Sequence, residues 1–120
     1  MEWTVAFHEA FAEEFLSLDP RVRQELAARL MLLKQFGPYL RRPHADTLNG
    51  SKHANMKELR FDAADGAWRV AYAFDPSRQA ILLVAGDKSG QGSPRFYRQL
   101  IARADARFDG HLATLSKGEE

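Results

Sequence analysis

Met56-Lys57-Glu58-Leu59-Arg60-Phe61, followed after a short turn by Trp68-Arg69-Val70-Ala71-Tyr72-Ala73-Phe74, is the stretch whose reading decides the fold. Side chains alternate across a β-strand, so Leu59 and Phe61 share one face while Glu58 and Arg60 share the other. In the second run Trp68, Val70, Tyr72 and Phe74 form an apolar face. Arg69 points the opposite way, beside small Ala71 and Ala73. Paired as an antiparallel hairpin across Asp62 to Ala67, the two strands bring a carboxylate and two guanidiniums onto one open face with little bulk between them. The expectation is a shallow, mostly cationic site built on solvent-facing strand positions.

Toward the amino terminus, Trp3 to Phe7 has the aromatic and β-branched content of a short strand. Phe7, Ala10, Phe11, Phe15 and Leu18 then recur at helical intervals with Glu9, Glu13 and Glu14 between them. Asp19-Pro20 marks a restart, with Asp19 as cap and Pro20 at the first helical position. Val22, Leu26, Leu30, Leu33 and Phe36 form the next apolar stripe, which Gly37-Pro38 stops, completing a helical hairpin. Residues 38 to 55 show no sustained periodicity and read as a loop.

Toward the carboxyl terminus, Asp75-Pro76-Ser77 signals a turn, and the apolar run Ala80 to Ala85 suits a central strand buried on both faces. Gly86 to Pro94 is loop. A last helix starts near Ser93-Pro94 and lines up Phe96, Leu100, Ile101, Ala104 and Phe108, and residues 111 to 120 are expected to fray. The expected order is β-α-α-β-β-β-α, an α+β protein with a small, mostly antiparallel sheet and its helices on one sheet face.

A chain of 120 residues with 45% hydrophobic and 28% charged content supports a single domain over residues 1 to 120. No apolar run approaches the roughly 20 residues that span a bilayer, and the start lacks a basic segment followed by an apolar one. The chain therefore reads as cytoplasmic. With no cysteine, disulfides, thiolate metal sites and a cysteine nucleophile are excluded. The net charge of +1 is unevenly spread: residues 1 to 40 carry −2, residues 41 to 98 carry +4 and residues 99 to 120 carry −1. That suits a local anionic ligand at the sheet rather than tight independent binding of long nucleic acid.

Met56-Lys57-Glu58-Leu59-Arg60, Trp68-Arg69-Val70, Ala73-Phe74-Asp75-Pro76, Leu82-Leu83-Val84-Ala85-Gly86-Asp87-Lys88 and Arg95-Phe96-Tyr97, in this order, resemble the phage-derived HigB-like branch of the RelE/ParE toxin superfamily. The resemblance covers nearly the whole chain and implies the toxin of a type II toxin–antitoxin module. The implied activity is that of a ribosome-dependent, metal-independent endoribonuclease, an mRNA interferase that halts translation. It implies an antitoxin of helix-turn-helix type as partner, with operator DNA reached only through that antitoxin, and no cofactor.

Metal-free cleavage through a neighbouring 2′-hydroxyl needs a base, charge stabilisation for the phosphorane-like transition state and an acid for the leaving oxygen. Arg60 and Arg69 suit the phosphate oxygens, since their planar forks stay charged and bind bidentately. Glu58 stands where the RelE-type pattern carries lysine; it is either the base or an ion-pair partner that orients Arg60 or Arg69. Tyr97 matches the family's tyrosine, for base stacking or proton transfer. Lys88 and Arg95 match the cationic positions before it, for phosphate binding or proton donation. Lys57 and His53 join as RNA-binding candidates. Lys57 shares the parity of Leu59 and Phe61, so it reaches the site only at a sheet rim, and His53 is a loop histidine of the ordinary surface kind.

On residue chemistry alone the charges of the hairpin read as a solvated face and Tyr97 as a ring packed beside Phe96. The histidines have no metal spacing, so no metal is expected. Gly86-Asp87-Lys88-Ser89-Gly90 lacks the order of a nucleotide-binding loop. Two further functions compete: a ParE-type toxin that inhibits DNA gyrase by protein contact, and an inactive relative that only binds its antitoxin.

Overall fold

The computed structural model describes residues 2–118. Its elements are β1 (Thr4–Phe7), α1 (Glu9–Leu16), α2 (Pro20–Phe36), a 3-10 turn (Gly37–Tyr39), β2 (Ala45–Thr47), β3 (Lys57–Ala63), β4 (Gly66–Phe74), β5 (Gln79–Asp87) and α3 (Ser93–Gly118). They form one five-stranded sheet in the order β1-β5-β4-β3-β2, with β1 parallel to β5 and every other neighbour antiparallel. The α+β class and the mostly antiparallel sheet therefore stand as expected.

Local chemistry explains the element ends. The Asp19 side chain accepts from the Arg21 N–H, and Pro20 opens α2 where a missing N–H costs nothing. Gly37, at φ +55° and ψ −131°, ends α2 in a conformation that suits glycine, and the Trp3 ring lies directly on it. The β3–β4 hairpin is tighter than Asp62 to Ala67. Ala63 pairs with Gly66, and the two-residue loop Ala64-Asp65 takes positive φ at both positions, the twist-matched geometry for such a turn.

Three expectations need correction. The segment 38–55 is not all loop, because Ala45–Thr47 pairs with β3 as an edge strand. Three residues are too few to show periodicity, and the ladder forms only once β3 exists as a template. Residues 111–118 do not fray: α3 continues through them, held where His111 Nε2 meets the buried Asp75 carboxylate at 2.7 Å. Positions 119 and 120 of that expected tail lie outside the described residues.

The helices also do not share one sheet face. Phe11, Val22, Leu26 and Leu33 of α1 and α2 pack with Leu59, Phe61, Val70, Tyr72 and Leu82. Phe96, Leu100, Ala104 and Phe108 of α3 pack with Ala71, Ala73, Ile81, Leu83 and Val84 on the other side. β5 is consequently buried on both faces, from Ala80 at 0% exposed to Val84 at 2%. The continuous apolar run of β5 required a cover on each side, and α3 supplies the second.

Candidate functional site

The sheet register assembles the site. Arg60 lies directly opposite Arg69, Glu58 opposite Ala71 on one side and opposite Asp46 of β2 on the other. All of these share the pleat that faces α3, and α3 enters at its first turn with Tyr97. The Arg60 Nη1–H donates to Glu58 Oε2 at 2.8 Å, and the Tyr97 hydroxyl reaches the same oxygen at 3.4 Å. The Arg69 Nε–H donates to the Tyr97 oxygen at 3.3 Å and stands 4.0 Å from Glu58 Oε1. The Arg69 Nη1–H is held by the Trp68 carbonyl at 2.9 Å, which fixes the plane of the guanidinium.

The cluster is not a solvent-facing surface. Glu58 is 3% and Arg69 7% exposed, because α3 seals the sheet over Ala71 and Ala73 and leaves only the Arg60–Arg69 end open. Alternation along the strand correctly gave the face, but it carries no information on what covers that face. Glu58 Oε1 is buried and accepts no hydrogen bond among the described residues. Burial works against the charge on Arg60, but the hydrogen bond and negative charge of Glu58 outweigh it and raise the guanidinium pKa above its ordinary value. A buried carboxylate with one idle oxygen, between two guanidiniums and a phenol, can accept a proton or hold its neighbours in place.

The other sequence candidates separate. Lys88 joins the cluster: its Nζ lies 6.0 Å from the centroid of the Tyr97 ring, and its backbone N–H is tied to the Ala67 carbonyl at 2.8 Å. Arg95 is exposed on the first turn of α3, two residues from Tyr97 and so turned to a different side of the helix. Lys57 sits on the opposite pleat, across from Tyr72, away from the cluster. His53 is placed elsewhere, its Nε2 at 2.8 Å from Asp109 and its ring edge-on to Phe108. Tyr97 and Asp109 are separated by about 18 Å along α3 at the usual helical rise. Asp87 organises its turn, accepting from the backbone N–H groups of Ala67 and Ser89 and from the Ser89 hydroxyl.

The structure adds groups that sequence reasoning missed. An open groove of about 520 Å³ runs along the exposed end of the cluster, lined by Arg42, Pro43, Arg60, Phe61, Asp62 and Arg69. Arg42 pairs with Asp46 at 2.8 Å, and this partner holds the Asp46 carboxyl below its ordinary pKa. The adjacent arginines Arg41-Arg42 before Pro43 were visible in the sequence, but without β2 nothing tied them to the hairpin. Among the described residues no group of three or more His, Cys, Asp or Glu side chains is arranged to hold a metal ion. No described helix is long and apolar enough to cross a membrane.

A five-stranded, mostly antiparallel sheet with a helical pair on one face and a long terminal helix on the other is a RelE-like α+β fold. The Escherichia coli toxin RelE, solved in the free state as a double-arginine mutant, superposes with a TM-score of 0.60 over 85% of this chain and 96% of that one, at 14% identity, a likeness of fold. Residues 13–109 match the family described as phage derived protein Gp49-like, and the chain belongs to that family. Two Mycobacterium tuberculosis (strain ATCC 25618 / H37Rv) relatives carry HigB toxin names. The chain is 42% identical to HigB2 over 97 residues, 80% of this chain and 48% of that protein. It is 42% identical to HigB3 over 100 residues, 83% of this chain and 85% of that protein. The chain thus spans about half the length of the first relative and most of the second.

Proposed function

We propose that this protein is the toxin of a type II toxin–antitoxin module and that it acts as a metal-independent, ribosome-dependent mRNA endoribonuclease. The HigB names of its relatives support the toxin class. The observation that carries the chemistry is the convergence of Glu58, Arg60, Arg69 and Tyr97 around one idle, buried carboxylate oxygen. A toxin that works by protein contact alone does not need these ionisable groups to converge, and a carboxylate buried between two guanidiniums costs stability unless each neighbour compensates it.

In this reading the scissile phosphate enters the groove at the open end and is clamped by Arg60 and Arg69, whose charges meet the negative charge that grows in the transition state. Glu58 takes the proton of the attacking 2′-hydroxyl by way of the Tyr97 hydroxyl, which lies 3.4 Å from its Oε2. Tyr97, hydrogen-bonded to both Arg69 and Glu58, stacks on the neighbouring base or passes the proton onward, with Lys88 stabilising the leaving oxygen. Arg95, Lys57 and His53 then bind RNA or its carrier outside the chemical centre. The cognate partner is an antitoxin of helix-turn-helix type, which also carries the pair to operator DNA.

Cleavage of a defined mRNA by purified protein, with and without ribosomes, tests the proposal. The wild type cuts only with ribosomes, and Arg69→Lys loses about 10²-fold or more, because one ammonium cannot reproduce the forked contact. Full activity in that variant, or equal cutting of naked RNA, overturns the assignment.

A further inference from the structure

The groove is matched charge for charge. Its arginines, Arg42, Arg60 and Arg69, face three carboxylates: Asp46 holds Arg42, Glu58 holds Arg60, and Asp62 lines the wall itself. Glu58 is accounted for by the chemistry proposed above, but Asp46 and Asp62 are not. Both lie on the same pleat as Glu58, Asp46 across from it on β2 and Asp62 four residues further along β3, exposed. Neither is buried, and among the described residues no hydrogen bond joins either to Glu58, Arg69 or Tyr97. Asp46 occupies the fork of Arg42 at 2.8 Å, the same donors that would otherwise meet a phosphate. Lys88 adds a cation at the Tyr97 end, 6.0 Å from the ring centroid. A groove meant to seize free RNA would carry an excess of unpaired cations, since phosphate neutralisation supplies essentially all non-specific affinity.

We propose that Asp46 and Asp62 are substrate-selection residues. By cancelling the groove's positive charge they keep its affinity for free single-stranded RNA low, and they confine cleavage to RNA that another body already holds in position. The inference rests on the ribonuclease reading and deepens it: dependence on a presenting surface is built into the groove as a charge balance. Delivery supplies the positioning entropy that the groove does not, so the chemical step needs no strong capture of its own.

The test is the double variant Asp46→Asn/Asp62→Asn beside a control, Glu9→Gln/Glu13→Gln. The control removes the same charge from exposed positions of α1 on the other side of the sheet. The amide introduced by Asp46→Asn retains an oxygen to accept from the Thr47 N–H, as Asp46 Oδ1 does now. Two readouts are taken: the ratio of naked-RNA cleavage to cleavage on programmed ribosomes, and the affinity of a short single-stranded RNA made uncleavable by 2′-O-methylation. The groove variant raises the ratio about tenfold or more and steepens the salt dependence of binding by about 0.7 in log–log slope for each arginine freed. An unchanged ratio and slope, or an equal rise in the control, overturns the proposal. Absence of cutting by the wild type on ribosomes would sink the ribonuclease reading, while affinity and slope would still judge the charge balance.

Discussion

Glu58→Gln separates the two roles that the carboxylate can play. The substitution keeps the shape and an acceptor for the Arg60 Nη1–H at 2.8 Å but removes the negative charge that lies between Arg60 and Arg69. A hydrogen bond to a charged acceptor contributes about 1.5–3 kcal/mol against about 0.5–1.5 for a neutral one, so the lost charge assistance costs about 1 kcal/mol. Repulsion between the directly opposed Arg60 and Arg69 adds to this, and relief of a buried charge partly offsets it. The net expectation is about 1–2 kcal/mol, a fall of about 5 °C in Tm by thermal denaturation. Glu58→Ala, which leaves both guanidiniums without the carboxylate, costs about 3 kcal/mol and confuses folding with chemistry. If Glu58 is the base, Glu58→Gln lowers cleavage on ribosomes by about 10²–10⁴-fold and removes the acidic limb of the pH–rate profile. If Glu58→Gln cleaves within about threefold of wild type with that limb intact, Glu58 only orients its neighbours and the proposed chemistry is refuted.

Three other perturbations test the packing. The Tyr72 hydroxyl is fully buried without a partner among the described residues, and burial pushes its pKa up, so Tyr72→Phe should gain about 1 kcal/mol in urea unfolding; a loss of that size would show a partner the hydroxyl needs. A methyl group on Gly86 would meet the Phe96 ring at 2.9 Å, next to Tyr97, so Gly86→Ala should cost about 1–3 kcal/mol and lower activity together; full activity would mean that α3 tolerates displacement. Burial alone would raise the pKa of Asp75, but the hydrogen bonds from His111 and Gln79 prevail and hold it below its ordinary value. A depressed carboxylate stabilises the fold above its unfolded pKa and loses that contribution as pH falls through the folded one. The destabilisation by Asp75→Asn should therefore be full at neutral pH and shrink below about pH 4, and a deficit constant from pH 7 to pH 3 would refute this.

The hairpin, the central strand and the capped second helix were legible because each writes its geometry into a short window. Alternation in 56–61 and 68–74 gave the pleat that carries Glu58, Arg60 and Arg69, and Asp19-Pro20 gave the start of α2. What stayed hidden depends on distant pairing. β2 exists through its ladder to Lys57–Leu59, and with it come Asp46 and the Arg42 fork. The burial of Glu58 and Arg69 required knowing that α3 lies over Ala71 and Ala73, and the apolar stripe of α3 fits either sheet face equally well. His53 looked adjacent to the site because it precedes β3 in sequence, but the loop carries it along α3 to Asp109.

That placement of α3 makes the site depend on contacts far from it. Tyr97 stands on the first turn, and the turns beyond it are tied down repeatedly. Ser51 donates to Asp105, Lys52 and His53 meet Asp109, Arg107 spans Glu14 and the Leu83 carbonyl, and His111 reaches Asp75. Most of these contacts are polar and lie at the helix's distal half, whereas near Tyr97 the helix is held by the buried Phe96 and by Tyr97's own bonds to Arg69 and Glu58. A helix anchored at its far end and stiff along its length transmits a small rotation there to the phenol at its tip. The loop residues Ser51, Lys52 and His53, which carry no chemistry, thus share in aiming Tyr97 at Glu58 Oε2. The catalytic geometry is accordingly a property of how α3 crosses the whole sheet, with the charged strand pair supplying only the groups that it meets.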